Sequence, residues 1–115
     1  MAVTKEQMIA SVQGYIKAVS TGDASFIDQL YADNARVEDP VGFEPKTGKA
    51  SIAAFYASAF KMSVSLELAG PVCCAANCAA FPFTLSMQGM NIDVVDVFEF
   101  NEAGQVVSMK AYWSM

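Results

Sequence analysis

The chain has 115 residues, of which 54% are hydrophobic, so it suits one domain with a sizeable core, residues 1–115. Its net charge of −5 argues against a nucleic-acid-binding surface, and its apolar runs are too short to span a membrane. The absence of histidine excludes Ser-His-Asp and Cys-His hydrolysis and the usual histidine-ligated zinc sites.

The first part of the chain is predicted to be helical. It starts with MAVTKEQ, which has no basic-then-apolar signal segment, so we expect a cytoplasmic protein. Thr4 and Gln7 form a capping-box pattern, and apolar residues at helical spacing follow until Gly22 ends the helix. Asp23 is placed to cap a second, short helix that runs to about Tyr31.

The rest of the chain predicts one more helix and several strands. A short strand is expected at ARVED, a loop at PVGFEPKTGKA and the third helix at SIAAFYASAF. Four or five strands should follow, within SVSLELAG, PVCCAA, CAAFPFTLSMQG, NIDVVDVFEF and QVVSMKAYW. Three helices and strands in hairpin order indicate an α+β fold with a mostly antiparallel sheet. A strongly curved sheet under the helices would leave a ligand pocket between the layers.

The cysteines are crowded into one apolar run. Cys73, Cys74 and Cys78 lie in PVCCAANCAAF, are odd in number and have no histidine to complete a metal site. We therefore expect buried thiols, and neither a metal nor a cofactor.

One strand carries a carboxylic acid among apolar residues. Alternation in NIDVVDVFEF places Asp96 on the same face as Ile92, Val94, Phe98 and Phe100. An unpaired ionised carboxylate is costly to bury, and this strand has no lysine or arginine. Burial would therefore raise the pKa of Asp96 and keep it neutral. The alternatives are a strand-end position and a carboxyl bonded to a backbone amide.

Other polar side chains also occupy apolar stripes. Asp39 ends the stripe of ARVED, Tyr15 lies on the stripe of the first helix, and Tyr31 and Tyr56 lie among apolar residues. Two carboxyls and three tyrosines without an obvious cation suggest acid and base chemistry in an apolar pocket. Taken singly, Asp39 is more often a turn residue before Pro40, and each tyrosine is more often core filler with a satisfied hydroxyl. The pattern does not identify a substrate.

These residues lie in segments that resemble bacterial ketosteroid isomerases, of the nuclear-transport-factor-like superfamily. RVEDPVG is similar to the segment around the family's catalytic base, which implies that Asp39 is the base. QGYIKAVSTGD and VVDVFEFNEAG are similar to the segments with the two oxyanion-hole donors, which implies Tyr15 and a protonated Asp96 in those roles.

The resemblance also implies residues that support the site and bind substrate. QLYADNA and AAFYASAF resemble the segments that hold two supporting tyrosines, here Tyr31 and Tyr56. AFPFTLSM and SMKAYWS resemble pocket-lining strands, which implies Phe83, Met109 and Trp113 as wall residues.

The family implies a cone: a strongly curved, mostly antiparallel sheet with three N-terminal helices covering its concave face. It implies isomerisation of 3-oxo-Δ5-steroids to 3-oxo-Δ4-steroids through a dienolate. It also implies a homodimer with its sheets packed together, for which Val95 and Val97 are apolar enough on the outer face. Another small enzyme on the same cone, such as a cyclase, dehydratase or epoxide hydrolase, and a ligand-binding or dimerisation module remain alternatives.

Overall fold

Three helices form one layer of the structure: α1 (Lys5–Thr21), α2 (Ala24–Leu30) and α3 (Lys49–Phe60). This computed structural model describes residues 2–114. The predicted capping box is present, since the Thr4 and Gln7 side chains each accept a hydrogen bond from the other residue's backbone N–H. Gly22 ends α1 with a φ of 73°, which glycine adopts without strain. None of the described helices is both long and apolar enough to cross a bilayer.

Within residues 2–114, seven strands form one sheet. They are β1 (Tyr31–Glu38), β2 (Lys46–Thr47), β3 (Ser65–Leu68), β4 (Cys73–Ala75), β5 (Cys78–Met87), β6 (Met90–Phe100) and β7 (Val106–Tyr112). The order is β2-β1-β7-β6-β5-β3, and β4 pairs with β5. Every pair is antiparallel except β1 with β7, which is parallel. The predicted α+β fold with a mostly antiparallel sheet is confirmed.

The first strand begins earlier than the sequence pattern indicates. It starts at Tyr31, directly after α2, and Tyr31 pairs with Val106 of β7. The register shifts between Tyr31 and Arg36, and this irregularity interrupts the alternation of buried and exposed residues. The pattern therefore becomes visible only from Ala35. The loop that follows also contains the two-residue strand β2.

The helices cover one face of this unclosed sheet, as in the α+β cone. α1 packs on β3 and β5, while α3 packs on β1 and β2. The predicted alternation holds along β6: Val94, Asp96 and Phe98 are buried towards the helices, whereas Asp93 and Val95 are exposed on the outer face. The apolar core therefore lies between the helices and the inner face of the sheet.

The cysteines are less buried than expected. Cys73 is exposed, and Cys74 and Cys78 are half-buried, all three as free thiols. The prediction of three buried thiols is therefore wrong. The reason is their position on β4 and at the start of β5, at a margin of the sheet.

Candidate active site

An apolar cavity of about 190 Å³ lies between the helices and the inner face of the sheet. Tyr15 of α1, Asp39 after β1 and Asp96 of β6 all line it. Most of the remaining wall is hydrocarbon or aromatic, and includes Val19, Phe55, Leu66, Phe83, Ile92 and Val94. The structure thus brings the two acids and the tyrosine that the sequence singled out to one enclosed space.

The pairing of strands sets the depth of each side chain in the cavity. On β5 and β6, Phe83 lies opposite Val94, and Phe81 lies opposite Asp96. On the other side of β6, Asp96 lies beside Ala111 of β7, whose side chain is only a methyl group. Asp96 is therefore flanked by the aromatic Phe81 on one strand and by the small Ala111 on the other.

Asp96 has the environment of a neutral carboxylic acid. It is 1% exposed, and its Oδ1 has no hydrogen-bond partner among residues 2–114. Burial raises the pKa of Asp96 well above its usual range, and the negative charge of Asp39 raises it further. A neutral carboxyl can donate a hydrogen bond, whereas a carboxylate can only accept. An unpartnered polar group in such a place is suited to bind a ligand.

Asp39 lies in a different environment, at the edge of the cavity. It is half-buried, and the indole Nε1–H of Trp113 donates a hydrogen bond to its Oδ1 over 2.6 Å. Burial raises the pKa of Asp39 above its usual value, while the hydrogen bond from Trp113 opposes this rise. The burial comes from the parallel pairing of β1 and β7, which brings the ends of both strands together.

Three buried tyrosines form a hydrogen-bonded chain. The hydroxyls of Tyr15 and Tyr56 are 3.0 Å apart, and those of Tyr56 and Tyr31 are 2.6 Å apart. Burial raises the pKa of all three hydroxyls well above their usual range, so they are neutral donors at ordinary pH. The Tyr15 ring is held edge-on against Phe98 and Phe81, with centroids 5.1 and 6.1 Å away.

The eight residues singled out from the sequence divide into two groups. The cavity wall includes six of them: Tyr15, Asp39, Tyr56, Phe83, Asp96 and Trp113. Tyr31 lies behind Tyr56 and reaches the site through the hydroxyl chain. Met109 is fully buried opposite Phe98, one row of inward-facing residues beyond Asp96, and is not among the described residues that line the cavity. Facing inward is therefore not sufficient to reach the cavity, because depth along the strand also matters.

Several wall residues were not identified from the sequence. Leu85 and Met87 follow Phe83 at alternate positions of β5, so the period of two could have indicated them. Phe55 lies beside Tyr56 in α3, and Met62 lies just after that helix. Nothing in the local pattern marks Met62, because its position depends on how the segment after α3 turns.

The arrangement can perform acid and base chemistry on an apolar molecule. The neutral carboxyl of Asp96, the half-buried carboxyl of Asp39 and the hydroxyl of Tyr15 surround a space that is otherwise lined mostly by hydrocarbon. Among residues 2–114, no group of three or more His, Cys, Asp or Glu side chains is placed to hold a metal ion. Fold and site together define a nuclear-transport-factor-like α+β cone with an acidic, aromatic-walled pocket.

Comparison with known proteins gives the family. The SnoaL-like domain matches residues 12–109, and the chain belongs to this family. The chain is 38% identical over 109 residues to a steroid Δ-isomerase from Nocardioides simplex, an alignment that covers 91% of this chain and 88% of that protein. The resemblance inferred from the sequence segments is therefore confirmed.

Other relatives carry different names. The chain is 27% identical over 110 residues to epoxide hydrolase LasB from Streptomyces lasalocidi, covering 88% of this chain and 39% of that protein. It also superposes with a TM-score of 0.89 and 26% identity on SalBIII, described as an epoxide hydrolase/cyclase-like enzyme in pyran ring formation in the polyether salinomycin. That match covers 96% of this chain and 93% of SalBIII. The relative at 38% identity supports an isomerase, whereas LasB and SalBIII carry epoxide hydrolase names.

Proposed function

We propose that this protein is a steroid Δ-isomerase that converts 3-oxo-Δ5-steroids to 3-oxo-Δ4-steroids. The observation that carries the proposal is the presence of Tyr15, Asp39 and Asp96 on the wall of one apolar cavity. A steroid is an extended hydrocarbon with few polar atoms, and such a molecule gains most from walls of this kind. The identity with the Nocardioides simplex isomerase supports the same reaction.

Asp39 is the general base of this reaction. Its ionised carboxylate removes a proton from carbon 4, the electrons of the C–H bond form a double bond between carbons 3 and 4, and the π electrons of the carbonyl move to the carbon-3 oxygen. The resulting dienolate is reprotonated at carbon 6 by the same carboxyl, so Asp39 returns to its ionised form. A base is most effective when its pKa approaches the working pH, and the raised pKa of Asp39 acts in this direction.

Tyr15 and Asp96 stabilise the dienolate. Both donate hydrogen bonds to the carbon-3 oxygen, on which negative charge develops, and donors aimed at such charge are effective in a dry site. The orphaned Oδ1 of Asp96 is explained if the substrate oxygen is its missing partner. Ketosteroid isomerases are an established case of a protonated aspartic acid used as a donor.

The two acids need opposite protonation states, and their proximity favours this. When Asp39 is ionised, its charge raises the pKa of Asp96 further, so a single proton stays on Asp96. Burial raises the pKa of Asp39 less than it raises that of Asp96, and the hydrogen bond from Trp113 favours ionisation of Asp39. These environments support Asp39 as the base and Asp96 as the donor.

The hydroxyl chain sets the direction in which Tyr15 donates. If Tyr15 gives its only proton to the substrate, it accepts from Tyr56, which in turn accepts from Tyr31. Tyr56 and Tyr15 are then each both donor and acceptor, Tyr31 is a donor, and the chain polarises towards the substrate. Tyr31 therefore supports the site without touching the ligand, and Met109 supports it through the core beside Phe98.

An ultraviolet assay with purified protein tests the function directly. The substrate is 5-androstene-3,17-dione, and the readout is the absorbance of the conjugated enone product. Turnover that disappears in Asp39→Asn would support the proposal. No turnover by a folded wild-type protein would overturn it.

Epoxide opening is a second candidate, because the same site geometry suits it. A neutral Asp96 would donate to the epoxide oxygen while an ionised Asp39 activates a nucleophile, and the relatives LasB and SalBIII carry epoxide hydrolase names. Hydrolysis or cyclisation of a test epoxide by protein that leaves the steroid unchanged would favour this reading.

We also propose that the protein is a homodimer that packs sheet against sheet. Val95 and Tyr112 are 41% and 48% exposed on the outer face, and they lie in one row with Pro82. An exposed apolar row in the middle of a sheet face favours a protein partner.

A further inference from the structure

The cavity has a deep end and a mouth, because exposure increases in the same direction along three of the elements that line it. At the deep end, the wall residues Asp96 of β6, Phe83 of β5 and Tyr56 of α3 are at most 4% exposed. Further along the same elements, Ile92 and Met87 are half-buried, and Met62, just after α3, is 42% exposed. The cavity therefore opens to solvent between the end of α3 and the hairpin of β5 and β6.

Strand register gives the distance from the deep end to the mouth. Asp96 lies opposite Phe81, and Ile92, four residues away on β6, lies opposite Leu85. At roughly 3.3 Å per residue these two rows are about 13 Å apart, which is close to the length of the four fused rings of a steroid. The cavity volume of about 190 Å³ is below the roughly 300–1,000 Å³ typical of pockets that enclose drug-sized ligands. A steroid with its carbon-3 oxygen at Asp96 would therefore bring carbon 17 to the mouth.

Two methionines line this mouth, one from each layer of the fold. Met87 belongs to β5 of the sheet, and Met62 belongs to the segment after α3 in the helix layer. The backbone N–H of Met62 donates a hydrogen bond of 3.0 Å to the carbonyl of Ala59, and Ser63 follows with a φ of 54°. This turn ends the helix and keeps Met62 on the cavity wall. Methionine side chains are unbranched and polarisable, so they adapt to groups of different shape.

We propose that Met62 and Met87 are specificity-determining residues, which bind the substituent at carbon 17 of the steroid and favour one that presents apolar carbon atoms. The inference rests on the proposed isomerase function and specifies its substrate class. The described residues that line the cavity are mostly apolar and include no lysine or arginine. The mouth therefore offers contact to the carbon atoms of a substituent and no cation to an anionic one.

The test compares two substrates that share the reacting rings and differ at carbon 17. One is 5-androstene-3,17-dione, which has an oxo group there, and the other is 5-pregnene-3,20-dione, which has the longer acetyl group. For each, kcat/KM is measured with the wild type, Met62→Ala, Met87→Ala and the conservative Met62→Leu. Met90→Ala is the control, because Met90 lies opposite Met87 and is 41% exposed but does not line the cavity.

The quantity of interest is the ratio of kcat/KM for the acetyl substrate to kcat/KM for the 17-oxo substrate. We expect both alanine variants to lower this ratio about three- to tenfold, mainly through KM, because an apolar contact remote from the reacting carbons is lost. Met62→Leu and Met90→Ala should leave it within about twofold of the wild-type value. A ratio that is unchanged or higher in both alanine variants would overturn the proposed specificity alone. No turnover of either steroid by the folded wild type would overturn the isomerase function together with it.

Discussion

The indole N–H of Trp113 donates a hydrogen bond to Asp39 over 2.6 Å, although the two residues are 74 positions apart in the sequence. This bond favours the ionised form of Asp39 and so lowers its pKa, against the effect of burial. It also fixes the carboxylate at the edge of the cavity, so Trp113 is both a wall residue and a positioning residue for the proposed base.

Replacement of Trp113 by Phe tests this relationship. The ring remains but the donor is lost, so the pKa of Asp39 should rise and the acid limb of the pH profile of kcat/KM should move to higher pH. We expect kcat to fall about tenfold, because one charge-assisted hydrogen bond no longer holds the carboxylate. Gln13→Ala, at an exposed position of α1 that does not line the cavity, serves as the control. An acid limb that does not move would show that the bond does not act on the base.

Asp39→Asn should nearly abolish isomerisation. The amide keeps the shape of the side chain but cannot accept the proton, and a general base contributes about two to four orders of magnitude in rate. The affinity for a phenolic steroid, measured by fluorescence or calorimetry, should stay close to that of the wild type and so report an intact fold. A turnover near the wild-type value in folded Asp39→Asn would remove Asp39 from the mechanism.

Substitutions of the two proposed oxyanion donors should lower kcat to different extents. Tyr15→Phe removes a hydroxyl donor and should lower kcat about 100- to 1,000-fold. The decrease in kcat should be smaller for Asp96→Ala, since water can enter the gap. It should be smallest for Asp96→Asn, since an amide still donates a hydrogen bond. The affinity for a phenolic steroid should follow the same order, because a phenolate resembles the dienolate in charge and placement. If Asp96→Asn is clearly worse than Asp96→Ala, the neutral-donor role is wrong.

The buried acid should also affect stability. The pKa of Asp96 is raised in the folded state, so the folded protein binds more protons than the unfolded chain above about pH 4. The free energy of unfolding should therefore decrease as the pH rises towards the folded pKa, by about 1.4 kcal/mol per pH unit for this one group. In Asp96→Asn the decrease should be smaller, as measured by urea unfolding at a series of pH values. An unchanged slope would mean that Asp96 is not held neutral.

The outer face of the sheet tests the proposed homodimer. Val95→Lys places a charge in the middle of the exposed apolar row, so we expect the dimer to dissociate at micromolar concentration. Gln13→Lys adds the same charge at an exposed position of α1 and should leave the dimer intact. Sedimentation velocity distinguishes the two states. A wild-type protein that sediments only as a monomer would contradict the proposal.

Period-two alternation was sufficient to identify Asp96 as an inward-facing acid. Met109 was expected to line the pocket because SMKAYWS resembles a pocket-lining strand, but that resemblance could not give its depth, because depth depends on strand register. Register brings Met109 opposite Phe98, one row past Asp96, and the wall of the cavity does not include it. Local pattern therefore predicted the face of Asp96, whereas the position of a residue along the cavity depends on strand pairing.

Long-range pairing was the other feature that local pattern could not predict. Residues 31–34 do not show the alternation of a strand in the sequence, because the register with β7 shifts before Arg36. No turn in the sequence marks the parallel pairing of β1 with β7, whereas a tight turn marks the hairpin of β5 and β6. The hydrogen bond from Trp113 to Asp39 depends on this pairing, so local sequence could not predict it either.

The same parallel pairing of β1 and β7 has a consequence for the order in which the protein folds. β1 and β7 are the first and last strands along the described chain, and Asp39 and Trp113 lie just beyond their ends. A contact across such a separation forms late, because the entropy of closing a long loop opposes it. During synthesis the base acquires its indole partner only after β7 has left the ribosome. Catalytic competence would therefore mark the completion of folding, and the time course of activity in a refolding experiment would follow the docking of the final strand.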